Sequence, residues 1–246
     1  IEKICKRNEI LGHEDDGWSL PACFLLNSQR FILNKKNKTK RSIKPTFQAP
    51  EKVLDIFYRL VGKIIKDEFG DIYDPQYPRD KVFMERYIEF CKKNNSRCIG
   101  KGDFEKEPMI IMCFLPLNNI CDISIATKTL LEENNVMPDY HIISINSGET
   151  HDPLKCIEDA RTFARNNNKK CVWVLSGKQC SLAATIENCD ITVLLNGIKA
   201  YDLISQMIHR GMTTAPGKNK KYGFVFDLNI HRQINQIMNQ ALYINP

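Results

Sequence analysis

From about residue 105 onward, short apolar runs alternate with longer stretches whose apolar positions recur every three or four residues. The runs are MIIMCFL (109–115), HIISI (141–145), CVWVL (171–175), ITVLL (191–195) and YGFVFDL (222–228). Each is apolar at nearly every position. That is the pattern of strands covered on both faces, as in parallel sheets, rather than of strands with one wet face. The stretches 120–134, 153–167 and 200–211 carry helical spacing, so the alternation predicts repeated βαβ units with right-handed crossovers. A sheet of this kind binds ligands just beyond the carboxyl ends of its strands. A last helix is predicted from about residue 229, where Ile230, Ile234, Ile237, Met238, Ala241 and Leu242 fall on one side.

The front of the chain has a different pattern. Residues 51–68 place Val53, Leu54, Phe57, Leu60, Val61 and Ile64 at helical spacing, and residues 80–94 repeat it with Val82, Phe83, Tyr87, Phe90 and Cys91. A proline-punctuated loop, GDIYDPQYPRD, separates them. The predicted organisation is a basic, mainly helical accessory or insertion segment over 1–105 and an α/β domain over 106–246.

Net charge is +6, from 35 Lys and Arg against 29 Asp and Glu, and the excess is uneven. Residues 27–44 hold Arg30, Lys35, Lys36, Lys38, Lys40, Arg41 and Lys44 with no acidic residue. Such a block reads either as a polyanion contact or as a solvated loop. The chain starts Ile-Glu-Lys-Ile-Cys, with neither an initiator Met nor a signal-like segment, which suggests a piece of something longer. No apolar run approaches the roughly eighteen residues a membrane helix needs, and no membrane partner is expected. The ten cysteines include no C-x-x-C pair, so they read as free thiols of a reducing, intracellular compartment rather than as zinc ligands.

Residues 171–213 carry the candidate chemistry. On the helix over 200–211 and just beyond it, Asp202, Ser205, Gln206, His209, Arg210 and Thr213 form one stripe, and Leu203, Ile204, Met207 and Ile208 the opposite one. Gln206 and Arg210, one turn apart, therefore project together. A Gln that both donates and accepts, beside a guanidinium with a fixed fork of donors, suits a phosphoryl-transfer site. An ordinary surface helix whose polar face meets water fits the same pattern.

Segment order adds to this. The stretch resembles motifs V and VI of superfamily 2 helicases, with MIIMCFLPL standing where motif IV would be, and the likeness extends over about residues 106–228. Gln206 and Arg210 match motif VI, while Thr213 stands where a second Arg is expected. The form Q-x-x-x-R-x-x-T is most similar to helicases of large nucleocytoplasmic DNA viruses. The resemblance implies a RecA-like parallel sheet flanked by helices, forming the C-terminal half of an ATP-dependent helicase or translocase. It implies that Arg210 is an arginine finger and that Gln206 couples nucleotide state to cleft closure. ATP and Mg2+ would be held mainly by an N-terminal RecA-like lobe of the same protein. It further implies nucleic-acid contacts, to DNA or RNA, from Ser147, Gly148, Ser176, Gly177 and Thr185, with the basic residues Lys35, Lys36, Lys38, Lys40 and Arg41 adding to them. A viral source would place the protein in host cytoplasm or virion. The finger role also expects Arg210 outside a structural ion pair and near the sheet's ligand-binding edge.

The sequence has no G-x-x-x-x-G-K-[ST] phosphate loop and no D-E-x-[DH] run, so this chain alone should not hydrolyse ATP. Its five histidines form no H-x-x-x-H pair and accompany no nucleophile elbow. The alternative function is a non-catalytic helicase-like module that binds nucleic acid or scaffolds a viral transcription or replication complex. The missing Arg at position 213 favours it.

Overall fold

A computed structural model of the chain describes residues 31–34, 44–60, 66–67, 70–71, 93, 107–146, 152–178, 186, 189–212, 223–229 and 232. In chain order the elements are α1 (Pro50–Leu60), a short antiparallel pair β1 (Lys66–Asp67) and β2 (Gly70–Asp71), then β3 (Met109–Phe114), α2 (Ile120–Glu133), β4 (Tyr140–Ile145), α3 (Pro153–Asn166), β5 (Cys171–Ser176), β6 (Cys189–Leu194), α4 (Tyr201–Met212) and β7 (Phe224–Asp227). The last five strands form one sheet in the order β4-β5-β3-β6-β7, with every neighbouring pair parallel.

All six residues of β3, β5 and β6 are buried, the polar Ser176, Asp190 and Thr192 among them, as expected of strands covered on both faces. One parity of the strands (Met109, Ile111, Cys113, Trp173, Leu175, Ile191, Val193) meets Val53, Ile56 and Phe57 of α1 and Ile123, Ala126 and Leu131 of α2. The other parity (Ile110, Met112, Phe114, Val172, Val174, Leu194) meets Ile157, Ala160 and Ala164 of α3 and Ile204 and Met207 of α4. This is the predicted RecA-like α/β architecture, two helical layers around a parallel sheet. Fully burying each such side chain contributes about 1.5–3 kcal/mol.

Part of the front segment shares this core. Phe31 and Phe47 are buried, their rings meet edge-on at 5.9 Å, and the chain around them is tied by an antiparallel bridge between Leu33 and Phe47. Phe57 of α1 packs on Trp173 of β5 with ring centroids 6.0 Å apart. The helix predicted over 51–68 ends at Leu60, and Lys66–Asp67 is extended instead. Gly62, just beyond the end, is among the weakest helix formers. The helix predicted over 80–94 lies outside the described residues except for Lys93, which is helical.

Local chemistry sets the helix limits. Asp152 caps α3 by accepting from the Lys155 N–H at 3.1 Å, with Pro153 in the first turn where its missing donor costs nothing. Asn135 and Asn168 adopt left-handed φ of 48° and 53° after α2 and α3. The amides that follow them reach back to Leu131 and Ala164, a C-terminal closure in which Asn replaces the commoner Gly.

Two features of the sheet lend themselves to test. The β3–β6 register shifts between Ile110 and Ile111, so Asp190 is the extra residue of a bulge, and its buried carboxylate accepts the Ile110 N–H at 2.9 Å. Asp190→Ala orphans that amide and is expected to cost about 1–3 kcal/mol in urea unfolding, with Asp190→Asn milder; an unchanged midpoint for Ala would show the bond to be dispensable. On β4, His141 packs on Phe163 with ring centroids 4.4 Å apart. Burial first, then the Lys128 charge, holds its pKa below the usual 6.5. The unfolded chain takes up that proton more readily, so the stabilising term is present above pH 6.5 and lost as pH falls below it. Thermal melts from pH 7 to 5 should therefore slope less in His141→Gln than in the parent; parallel slopes would contradict the assignment.

Candidate functional site

Each crossover helix returns against the strand direction, so α2 and α4 begin at the sheet's carboxyl edge and end nearer its amino edge. That geometry distributes the predicted site residues over two places.

At the carboxyl edge, β3, β4 and β5 end side by side. Leu115 donates its N–H to the Ser176 carbonyl at 2.9 Å, extending the ladder one residue past the strands. Ser176 is fully buried, so β5 brings its backbone rather than its hydroxyl to this edge. Gly177 follows directly. A Cβ there would stand 2.8 Å from Cγ1 of Ile120, the first residue of α2, so the glycine lets β5 pass close to that helix. Asn119 precedes α2 with a left-handed φ of 54° and its side chain makes no cap bond. On β4, the buried Asn146 carboxamide donates to Ser124 Oγ of α2 at 2.5 Å and to Ser144 Oγ at 2.8 Å. This Ser124–Ser144–Asn146 network ties the end of β4 to the first turns of α2. Local sequence spacing does not reveal this network, because Ser124 meets its partners Ser144 and Asn146 across 20 and 22 residues of chain. Ser147, Gly148, Thr185, Lys35, Lys36, Lys38, Lys40 and Arg41 lie outside the described residues.

The second place is the far end of α4. Ile204, Met207 and Gly211 face the sheet, while Gln206 and His209 are exposed and Arg210 is half-buried. The polar stripe thus survives folding, with Gln206 and Arg210 one turn apart on the outer side. His209 Nδ1 donates to the Ser205 carbonyl at 2.7 Å, which fixes its tautomer. The last turn is set by Gly211, where a Cβ would meet Thr192 Oγ1 of β6 at 2.9 Å and the Phe224 carbonyl of β7 at 3.3 Å. Arg210 accordingly stands beside the start of β7, about 14 Å along the helix axis from Tyr201. It does not converge with Gly177 at the carboxyl edge, the position the finger role led one to expect. The antiparallel return of α4 is the reason.

A third cluster joins the ends of β6 and β7. Arg232 is buried; its Nε and Nη2 bind Asp227 Oδ2 and Oδ1 at 2.6 and 2.7 Å, and its Nη1 reaches Asn196 Oδ1 at 3.2 Å and the Ile198 carbonyl at 2.9 Å. The Asn196 carboxamide also accepts the Ile198 N–H at 3.3 Å and approaches Met207 Sδ at 3.5 Å. The Asp ending YGFVFD was the sequence signal for this cluster, but nothing local identified its partner.

Other chemistries find little support. Burial pushes the Cys113 thiol up to about 12, far from a nucleophilic thiolate, and also raises Cys156. Among the described residues, no group of three or more His, Cys, Asp or Glu is placed to hold a metal ion, and no helix is long and apolar enough to cross a membrane.

The close fit of Gly211 makes a prediction of opposite sign to helix propensity. Alanine in a helix interior should stabilise by about 1 kcal/mol over glycine. Here overpacking against Thr192 and Phe224 should reverse that, and Gly211→Ala is expected to lose about 1–3 kcal/mol in urea unfolding. A stabilised variant would show that α4 does not approach the sheet this closely.

No family model matches the chain, and no curated protein matches its sequence. Among solved structures, it is similar to a fragment described as an HsdR subunit of a type I restriction enzyme from Vibrio vulnificus, at 12% identity and a TM-score of 0.35, covering 72% of this chain and 28% of that one. It is also similar to the C-terminal part of the Fun30 ATPase domain, at 11% identity and a TM-score of 0.35, covering 77% of this chain and 64% of that one. The chain thus spans less than two thirds of the length of either.

Proposed function

We propose that the chain is the C-terminal RecA-like lobe of an ATP-dependent nucleic-acid helicase or translocase, and that it supplies Arg210 to nucleotide held by another lobe of the same protein. The observation that carries this reading is the presentation of Gln206 and Arg210 together on the outer face of α4, within the helicase-like order of segments. The separation of Arg210 from the carboxyl edge bears on how such a motor divides its work. A finger acts in trans, so the ligand edge it must reach is that of the partner lobe. The chain's own carboxyl edge, with Gly177 and the start of α2, is then left to the phosphates of a nucleic-acid strand. In this reading ATP and Mg2+ are held mainly by the partner lobe, because this sequence carries no G-x-x-x-x-G-K-[ST] phosphate loop of its own.

An arginine finger stabilises charge developing on the transferred phosphoryl group and is worth about 10³–10⁵ in rate where measured in GTPases. In this reading Gln206 senses cleft closure beside it. The second reading is a non-catalytic helicase-like scaffold for a transcription or replication complex; Thr213 in the place of a second Arg favours it.

The test is nucleic-acid-stimulated ATPase activity in the full chain that includes the nucleotide-binding lobe. Arg210→Ala should lower kcat by two decades or more while the melting temperature holds; unchanged turnover sinks the finger. The fragment alone should show no ATPase and should bind single strands with an affinity that falls steeply from 50 to 200 mM salt. Salt-independent binding would remove the phosphate-track role.

A further inference from the structure

We infer that Arg232 is a positioning residue for Arg210, acting through the loop that launches α4. The inference rests on the finger role proposed above. Three observations point to it. Arg232 lies in the chain after β7, yet its guanidinium reaches across to Asn196 at the end of β6 and to the Ile198 carbonyl in the β6–α4 loop. Its other edge is locked by the bidentate pair with Asp227, which is itself braced by the Asn229 N–H at 2.9 Å. Asn196 in turn lies against Met207, the fully buried residue that seats the middle of α4 on the sheet.

The consequence is mechanical. A helix is stiff along its axis, so its far end is placed by whatever fixes its start and its rotation. Gly211 fixes how closely the last turn approaches β6 and β7. Arg232 fixes where the first turn begins, because the Ile198 carbonyl it grips is only three residues ahead of Tyr201. Lys could keep the charge pair with Asp227 but not the planar fork that serves Asp227, Asn196 and Ile198 at once. A purely structural cluster would show only in stability. A positioning residue would show in turnover at constant stability.

The variant that separates these roles removes both charges together, since replacing a buried ion pair by neutral groups is often tolerated where breaking one side is not. In Asp227→Asn/Arg232→Met, the amide retains an acceptor for Asn229. In the full chain with its nucleotide-binding lobe, the double variant is expected to keep its melting transition, lower nucleic-acid-stimulated kcat about tenfold and leave the KM for ATP unchanged. Hydrogen exchange over 198–212 should rise about tenfold. Adding Arg210→Ala should then cost less than it does in the parent, because both changes act on the same guanidinium. Full turnover with unchanged exchange overturns the proposal, as does strict additivity with Arg210→Ala. If the double variant does not fold, Arg232→Lys is read in the same way, and parent-like kcat there overturns it. If Arg210→Ala itself leaves turnover unchanged, the finger reading has failed instead; the exchange experiment then still reports whether Arg232 sets the start of α4.

Discussion

A parallel sheet cannot leave either face in water, and the rest of this molecule follows from meeting that constraint. β3, β5 and β6 bury every residue, so helices must lie on both sides, and every strand-to-strand connection has to cross the sheet to return in the same direction. α1 and α2 cover one face, α3 and α4 the other. The crossovers bring the starts of α2 and α4 to one edge and carry the end of α4 away from it. The front of the chain is drawn into the same solution: Phe31, Phe47 and Phe57 join this core, Phe57 against Trp173.

Two kinds of surface result from this arrangement. The carboxyl edge gathers strand ends, a glycine held close to a helix start and the Ser124–Ser144–Asn146 side-chain network. The outer face of α4 carries Gln206, exposed, and Arg210, half-buried, above tight packing at Gly211 and beyond the Asp227–Arg232–Asn196 cluster near the helix start.

The five sheet strands and the three crossover helices were legible because their apolar periodicities are long and consistent, and their limits moved by only a residue or two. The helix predicted through 68 was not, since its apolar spacing continues past Leu60 while Lys66–Asp67 is extended. For the candidate site the order is reversed. The stripe on α4 could be read from spacing of three and four, but its height on the sheet could not, because that depends on Gly211 meeting Thr192 and Phe224 across nineteen and thirteen residues of chain. The clamp on Asn196 was equally hidden, as Arg232 lies 36 residues away in sequence. Ser176, expected among the nucleic-acid contacts, is the buried last residue of β5.

The most direct measurement is an experimental structure of the full chain closed on a γ-phosphate mimic and a nucleic-acid strand. The account predicts the Arg210 guanidinium within hydrogen-bond reach, about 3 Å, of that phosphate, with the strand lying over the carboxyl edge beside Gly177. Arg210 still packed beside β7, with another cation at the phosphate, would contradict it.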